Sequence, residues 1–208
     1  MTPAAKIFTA LEDDTVIEDT KGNTYLFTNL DSTSSHGKNT DQPLNDTGAV
    51  DQRQYILRVI SPPNSFFSVP PHYHPLTPEI FRVFSGELTA TIGGIRRTLR
   101  PEDGEITVER GVVHSFESPE GVHTELAERE DGAEVMKKKS CFLMRAVQLG
   151  MGGANPSVIQ VFRLFWEDGD VFPSLGFRPL DKIATHSIGG LLGYYLGLGA
   201  MKQAPKEQ

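Results

Sequence analysis

Between residues 54 and 128, glycine and proline recur so closely that no long helix fits, and the runs between them are rich in β-formers. Tyr55-Ile56-Leu57-Arg58-Val59-Ile60 is stopped by Pro62-Pro63, and the run 66–69 is stopped by Pro70-Pro71. Runs 80–84 and 88–92 flank Ser85-Gly86, which predicts a hairpin. Gly93-Gly94 turns the chain into 95–99, and runs 106–108, 112–116 and 123–127 follow. Many short strands with regular turn signals predict an all-β sandwich or barrel.

This stretch is part of a 208-residue chain, a length that suits one domain with a modest appendage. Residues 1–53 carry a strand at 24–30 and then a long polar stretch, 31–52, which reads as disordered rather than as a lid. Residues 54–130 form the barrel core. Residues 131–208 change character. Phe142, Leu143, Ala146 and Leu149 fit a helix over 138–149. Asn155-Pro156 predicts a second helix, with Asn as cap and Pro in the first turn, running to about Glu167. A third is expected over 180–198, with Gly189, Gly193 and Gly197 at four-residue spacing, suited to close packing on the barrel or on a second protomer.

Charge and cysteine content exclude several functions. Lys plus Arg is 20 against Asp plus Glu 27, a net charge of -7. Lys137-Lys138-Lys139 is the one basic cluster, so nucleic acid is not an expected partner, and the lysines read as a solvated helix start. Cys141 is the single cysteine, which leaves no intrachain disulfide. No apolar run is long enough for a membrane span, and residues 1–14 lack a signal-peptide pattern, so a cytoplasmic protein is expected.

The chemistry concentrates in His72-Tyr73-His74, the turn 75–78, and Glu79. On a strand, residues i and i+2 face one side, so His72 and His74 project together. The turn brings Glu79 back to meet them, and His114, three residues after Gly111, offers a fourth ligand. Imidazole and carboxylate suit one divalent metal ion: Fe, Mn, Zn, Ni, Co or Cu.

His-x-His-x4-Glu-x6-Gly, ending at Gly86, followed by Gly-x2-His resembles the two signature motifs of the cupin superfamily. The resemblance spans about 55–127. It implies a double-stranded β-helix, or jelly-roll, barrel with metal in its mouth held by His72, His74, Glu79 and His114. Three motif positions depart from the usual pattern: Phe66 and Glu109 where Gly and Pro are usual, and Ser118 where Asn is usual.

Period-2 alternation extends the site. Phe81 and Val83 share a phase with Glu79, and Val112 and Phe116 share one with His114. These four predict a cavity wall suited to an apolar or aromatic ligand. Arg58 is a candidate anchor for an acidic group, whereas phase puts Arg82 outward. His123 is a secondary candidate near the site, and His36 and His186 read as surface residues. The expected function is a metal-dependent enzyme acting on a small organic molecule, in the manner of small cupins of secondary metabolism. A redox-active metal would make it a dioxygenase-like oxidoreductase; zinc or manganese would make it an isomerase, cyclase or decarboxylase. The alternative is a non-catalytic small-molecule-binding cupin. Sheet edges and the Gly/Leu-rich C-terminal helix, which need covering, predict a homodimer.

Overall fold

The structure is a computed structural model that describes residues 8, 10–29, 52–151 and 156–196. The expected polar stretch lies almost wholly outside these residues, as do His36, Asn155 and Gly197. Among the described residues, eleven strands follow in chain order: β1 (Thr15–Glu18), β2 (Thr24–Phe27), β3 (Leu57–Ser61), β4 (Ser68–Tyr73), β5 (Glu79–Ser85), β6 (Leu88–Ile92), β7 (Ile95–Leu99), β8 (Glu105–Val108), β9 (His114–Glu117), β10 (Thr124–Arg129) and β11 (Phe172–Pro173). They build a six-stranded sheet in the order β1-β2-β3-β10-β5-β8 and a five-stranded sheet in the order β11-β4-β9-β6-β7. All the pairings are antiparallel. The strand punctuation predicts an all-β sandwich or barrel, and the two sheets form the jelly-roll that the cupin resemblance implies.

Side-chain alternation decides what lies between the sheets. Leu57 and Val59 of β3, Phe81 and Val83 of β5, and Leu126 of β10 join Phe116 of β9 in the main apolar core. The opposite phase of the larger sheet is also buried. There Leu26, Ile60, Phe84 and Ala127 meet Phe8 of the N-terminal segment. Covering both faces accounts for the fully buried pattern of β3.

Two local expectations are corrected. Ser85-Gly86 is not a hairpin turn: β5 pairs with β10 and β8, whereas β6 pairs with β7 and β9, so the chain crosses between sheets here. Glycine is required at the crossing, since a Cβ at Gly86 would lie 2.0 Å from the carbonyl oxygen of His123. Nor do Pro70-Pro71 end a strand: β4 runs through both. The ladder to β9 shifts register between Val69 and His72, and a bulge can take prolines because they have no N–H to offer.

The C-terminal third forms α1 (Ala133–Ala146), α2 (Val158–Asp168) and α3 (Arg178–Ala184), the last continuing through a π-helical stretch (Thr185–Leu192) into Gly193–Tyr195. Ser157, not Asn155, caps α2: its Oγ accepts from the Gln160 N–H while Gln160 Oε1 accepts from the Ser157 N–H. Pro156 therefore lies outside that helix. α1 starts five residues earlier than expected, which places the three lysines inside it. The glycines of the α3 continuation meet α2 of the same chain. A Cβ at Gly189 would lie 2.1 Å from the Phe162 carbonyl oxygen, and one at Gly190 2.7 Å from Trp166 Nε1. No helix among the described residues is long and apolar enough to cross a membrane.

Candidate metal centre

His72 and His114 sit on neighbouring strands of the five-stranded sheet, and His74 directly follows the first of them. His72 of β4 lies directly across from His114 of β9. The Gly111 N–H donates to the carbonyl oxygen of His74 at 2.7 Å, which ties the turn before β9 to the end of β4. Glu79 opens β5 on the other sheet and reaches across the mouth. The loop between His74 and Glu79 is fastened from far along the chain. Asp170 accepts the Leu76 N–H at 2.8 Å and the Thr77 hydroxyl at 2.6 Å.

One ligating atom from each of His72, His74, Glu79 and His114 lies within 4.8 Å of all the others, and all four residues are buried. Glu79 Oε2 is 3.0 Å from Nε2 of His74, 3.0 Å from Nε2 of His114 and 3.8 Å from Nε2 of His72. His72 Nδ1 lies 2.9 Å from the Pro70 carbonyl oxygen, and His114 Nδ1 lies 2.9 Å from that of Val112. A carbonyl only accepts, so these contacts place the proton on Nδ1 and leave the Nε2 lone pair facing the centre.

Electrostatics favour the same reading. Burial lowers the pKa of His72, and burial with the nearby Lys139 ammonium lowers that of His74 to about 4, so both stay neutral. Burial alone would raise the Glu79 pKa, but Lys139 and the imidazoles hold it well below the usual carboxylate range. Neutral imidazoles with an ionised carboxylate are the form in which these groups bind metal, and the donor set fits a divalent first-row ion.

Lys139 is the residue the sequence reading misplaced. It is not solvated: it is 6% exposed and reaches into the mouth. Its Nζ stands 3.2 Å from His74 Nε2, 3.4 Å from Glu130 Oε1, 3.5 Å from Glu128 Oε1 and 3.8 Å from Glu79 Oε2. Those carboxylates raise its pKa against the lowering effect of burial, so it is an ammonium ion. The missed signal was periodicity: Lys139, Phe142, Leu143 and Ala146 are spaced i, i+3, i+4, i+7, so the lysine lies on the apolar face of α1.

His72 and Glu79 of the centre line a cavity of about 100 Å³. Its walls include Val59, Phe81, Phe116 and Leu126 from the barrel and Phe142 and Leu143 from α1. Of the four expected wall residues, Phe81 and Phe116 line it. Val83 lies within the core cluster and Val112 packs against that cluster. Val112 also precedes β9, where its carbonyl orients His114. Arg58 does not face the cavity; it is buried on the other side of β3, bonded to Gln52 and paired with Asp14. Arg82 stacks over the Phe84 ring. The cation at the site is therefore Lys139. His123 pairs with Glu125 at 2.8 Å, and Glu125 also accepts the Phe8 N–H, which places His123 with the N-terminal segment. His186 is exposed. Ser118 Oγ accepts the Phe67 N–H at 2.9 Å and so has a definite structural role.

Residues 58–126 match a family model described as a cupin domain. The chain is 32% identical over 157 residues to the Penicillium expansum protein named "Probable oxidoreductase patJ", covering 67% of this chain and 47% of that one. It is 31% identical over 137 residues to an Arthrobotrys oligospora protein named as an oxidoreductase, covering 62% of this chain and 54% of that one. The chain thus spans about half the length of these curated relatives. Among solved structures, the Drosophila melanogaster CENP-C cupin domain superposes with TM-score 0.38 at 15% identity, covering 62% of this chain and 84% of that one. The polyketide cyclase RemF from Streptomyces resistomycificus gives TM-score 0.33 at 16% identity, covering 58% and 78%.

Proposed function

We propose, since this chain belongs to the cupin superfamily, that it is a metal-dependent enzyme acting on a small, largely apolar organic molecule, with an oxidoreductase as the leading class. The observation that carries this is the shared wall: His72 and Glu79 line the same cavity as Phe81, Phe116 and Phe142. Reactive groups in the wall of a largely apolar cavity meet a ligand where electrostatic effects are stronger than in water. The oxidoreductase names of the curated relatives support the class.

His72, His74, Glu79 and His114 would hold the ion. Bound there, a divalent ion supplies Lewis-acid chemistry and, if redox-active, electron transfer. The chain's own residues do the rest. Pro70 and Val112 carbonyls fix two imidazoles, Asp170 fixes the loop between His74 and Glu79, and the aromatic walls orient the substrate's apolar part. A ligand-holding, non-catalytic role is the second reading. It is favoured by the way α1 lays Phe142 and Leu143 across the mouth.

The test is metal content of protein purified without added metal, with oxygen consumption measured on small, largely apolar organic substrates. One metal ion per chain and turnover are expected. His74→Ala should lose metal and turnover while keeping its circular-dichroism spectrum, at a stability cost of about 1–2 kcal/mol. Full metal occupancy and turnover in that variant would remove His74 from the site. Metal binding with no turnover on any substrate would favour the second reading.

A further inference from the structure

Away from the cavity, the fold gathers cations that are remote from one another in the sequence. Tyr73 of β4, Arg110 and Gly111 in the turn before β9, and Arg178 and Lys182 of α3 line a surface cleft of about 470 Å³. Among the described residues, no carboxylate lines it. Glu109, beside Arg110, is exposed and outside its walls, and Asp181, beside Lys182, is buried and accepts the Leu175 N–H. Arg178 is held in place: its Nη2 donates to the Gly111 carbonyl oxygen at 2.5 Å, and its guanidinium lies 5.4 Å from the centre of the Tyr73 ring. That leaves it four further N–H donors. Among the described residues, Arg110 and Lys182 have neither a hydrogen bond nor an ion pair. Tyr73 is a second sign of a missing ligand. Alternation on β4 turns it away from His72 and His74; it is 2% exposed, and its hydroxyl has no hydrogen-bond partner among the described residues. Such a buried, unpartnered hydroxyl costs free energy that a ligand oxygen recovers.

We propose that this cleft binds the phosphate group of a phosphate monoester, with Arg110, Arg178 and Lys182 as cationic donors and the Tyr73 hydroxyl as a neutral one. The proposal does not rest on the metal centre, which lies on the other side of β4.

The donor set selects the anion. Four donor side chains drawn from three parts of the chain match the three terminal oxygens of a phosphate better than the two of a carboxylate. A dianion also offsets more of the repulsion among three neighbouring cations than a monoanion does. Net charge selects a small ligand. Three cations on a chain of net charge -7 suit one phosphate group, whereas a polyanion would be repelled by the rest of the surface.

Isothermal titration calorimetry of the full chain with glycerol 3-phosphate and with acetate tests the cleft, in about 0.15 M salt to screen diffuse attraction. Glycerol 3-phosphate should bind saturably and about tenfold more tightly than acetate. Arg110→Gln with Lys182→Gln, both at exposed positions, should weaken it about tenfold or more, and Tyr73→Phe, which keeps the ring, about threefold. His74→Ala should leave this affinity unchanged. Equal affinity for acetate overturns the phosphate class, and unchanged affinity in the folded double variant or in Tyr73→Phe overturns the cleft. Binding that is lost in His74→Ala and kept in the double variant would put the phosphate on the metal centre, and overturns the cleft as well. Phosphatidic-acid vesicles distinguish the source of the phosphate. Sedimentation with them that glycerol 3-phosphate competes away and the double variant loses supports the cleft with a lipid headgroup as its ligand; saturable binding of glycerol 3-phosphate without sedimentation supports it with a soluble ester. Absence of both overturns it.

Discussion

Helices α1 and α3 are both apolar along one side, yet they use that side differently. α1 turns Phe142 and Ala146 inward, and both are buried against the barrel mouth and α2. The α3 continuation docks through its small residues: Gly189 and Gly190 press on Phe162 and Trp166 of α2. Its large side chains point the other way, with Ile183, Leu191 and Tyr194 exposed by 59%, 61% and 74%. Hydrophobicity alone therefore does not say which face of a helix is buried. Where glycine permits backbone contact, the small face wins the intramolecular partner and the large face is left for something else.

The comparison breaks most decisively at Phe142. Phe142→Ala should cost about 3–5 kcal/mol in chemical denaturation, because it removes a buried ring and leaves a cavity under α1. Next is Gly189→Ala. Its new Cβ meets a backbone carbonyl that cannot rotate away, and a loss of about 1–3 kcal/mol is expected from the same measurement. A cost near zero there would mean that α3 does not pack as described.

A smaller effect sharpens the electrostatic side of α1. Burial pushes the Glu130 pKa up to about 7, from an ordinary value of 4.5. The folded chain then keeps a proton that the unfolded chain releases. That contribution favours folding below the ordinary value and is lost as pH rises through about 7. In metal-free protein, the melting temperature of the wild type relative to Glu130→Gln should therefore fall between about pH 5 and pH 8, by well under the Phe142 effect. The smallest stability change belongs to the outer face of α3. Leu191→Ser with Leu192→Ser should alter monomer stability by only about 0.5 kcal/mol. The expected homodimer is tested on the same variant: light scattering should give twice the chain mass for the wild type and the chain mass for the double substitution. A wild type of monomer mass would count against a dimer.

Much of the barrel was legible because short runs of β-formers, such as Tyr55 to Ile60, are punctuated by proline and glycine. His72 and His74 were legible because spacing on a strand determines facing, Glu79 because the turn 75–78 reverses the chain, and His114 because Gly-x2-His resembles the second cupin motif. Sheet membership was not: Ser85-Gly86 looks like a hairpin locally, and only the partners of β5 and β6, far away in sequence, reveal a crossing. β1 and β11 escaped notice because four residues and two residues carry too little pattern. Lys139 escaped because a run of three lysines suggests solvent, although successive helical residues point about 100° apart and one of three can face inward. The real start of α1, at Ala133, was needed to see which one.

The clasp from Asp170 to Leu76 and Thr77 has a consequence for order in time. It joins positions 94 and 93 residues apart. All four candidate ligands leave the ribosome well before Asp170 does, and contacts of such long range close late. During synthesis and refolding there is thus an interval in which the ligands are present but the loop between His74 and Glu79 is untied. An ion captured in that interval meets a loose cage, with geometry set by the ion rather than by the protein. The finished cage, with its loop fastened, imposes its own geometry. For an ion held at this centre, its identity would then depend on when it is loaded as well as on what is available.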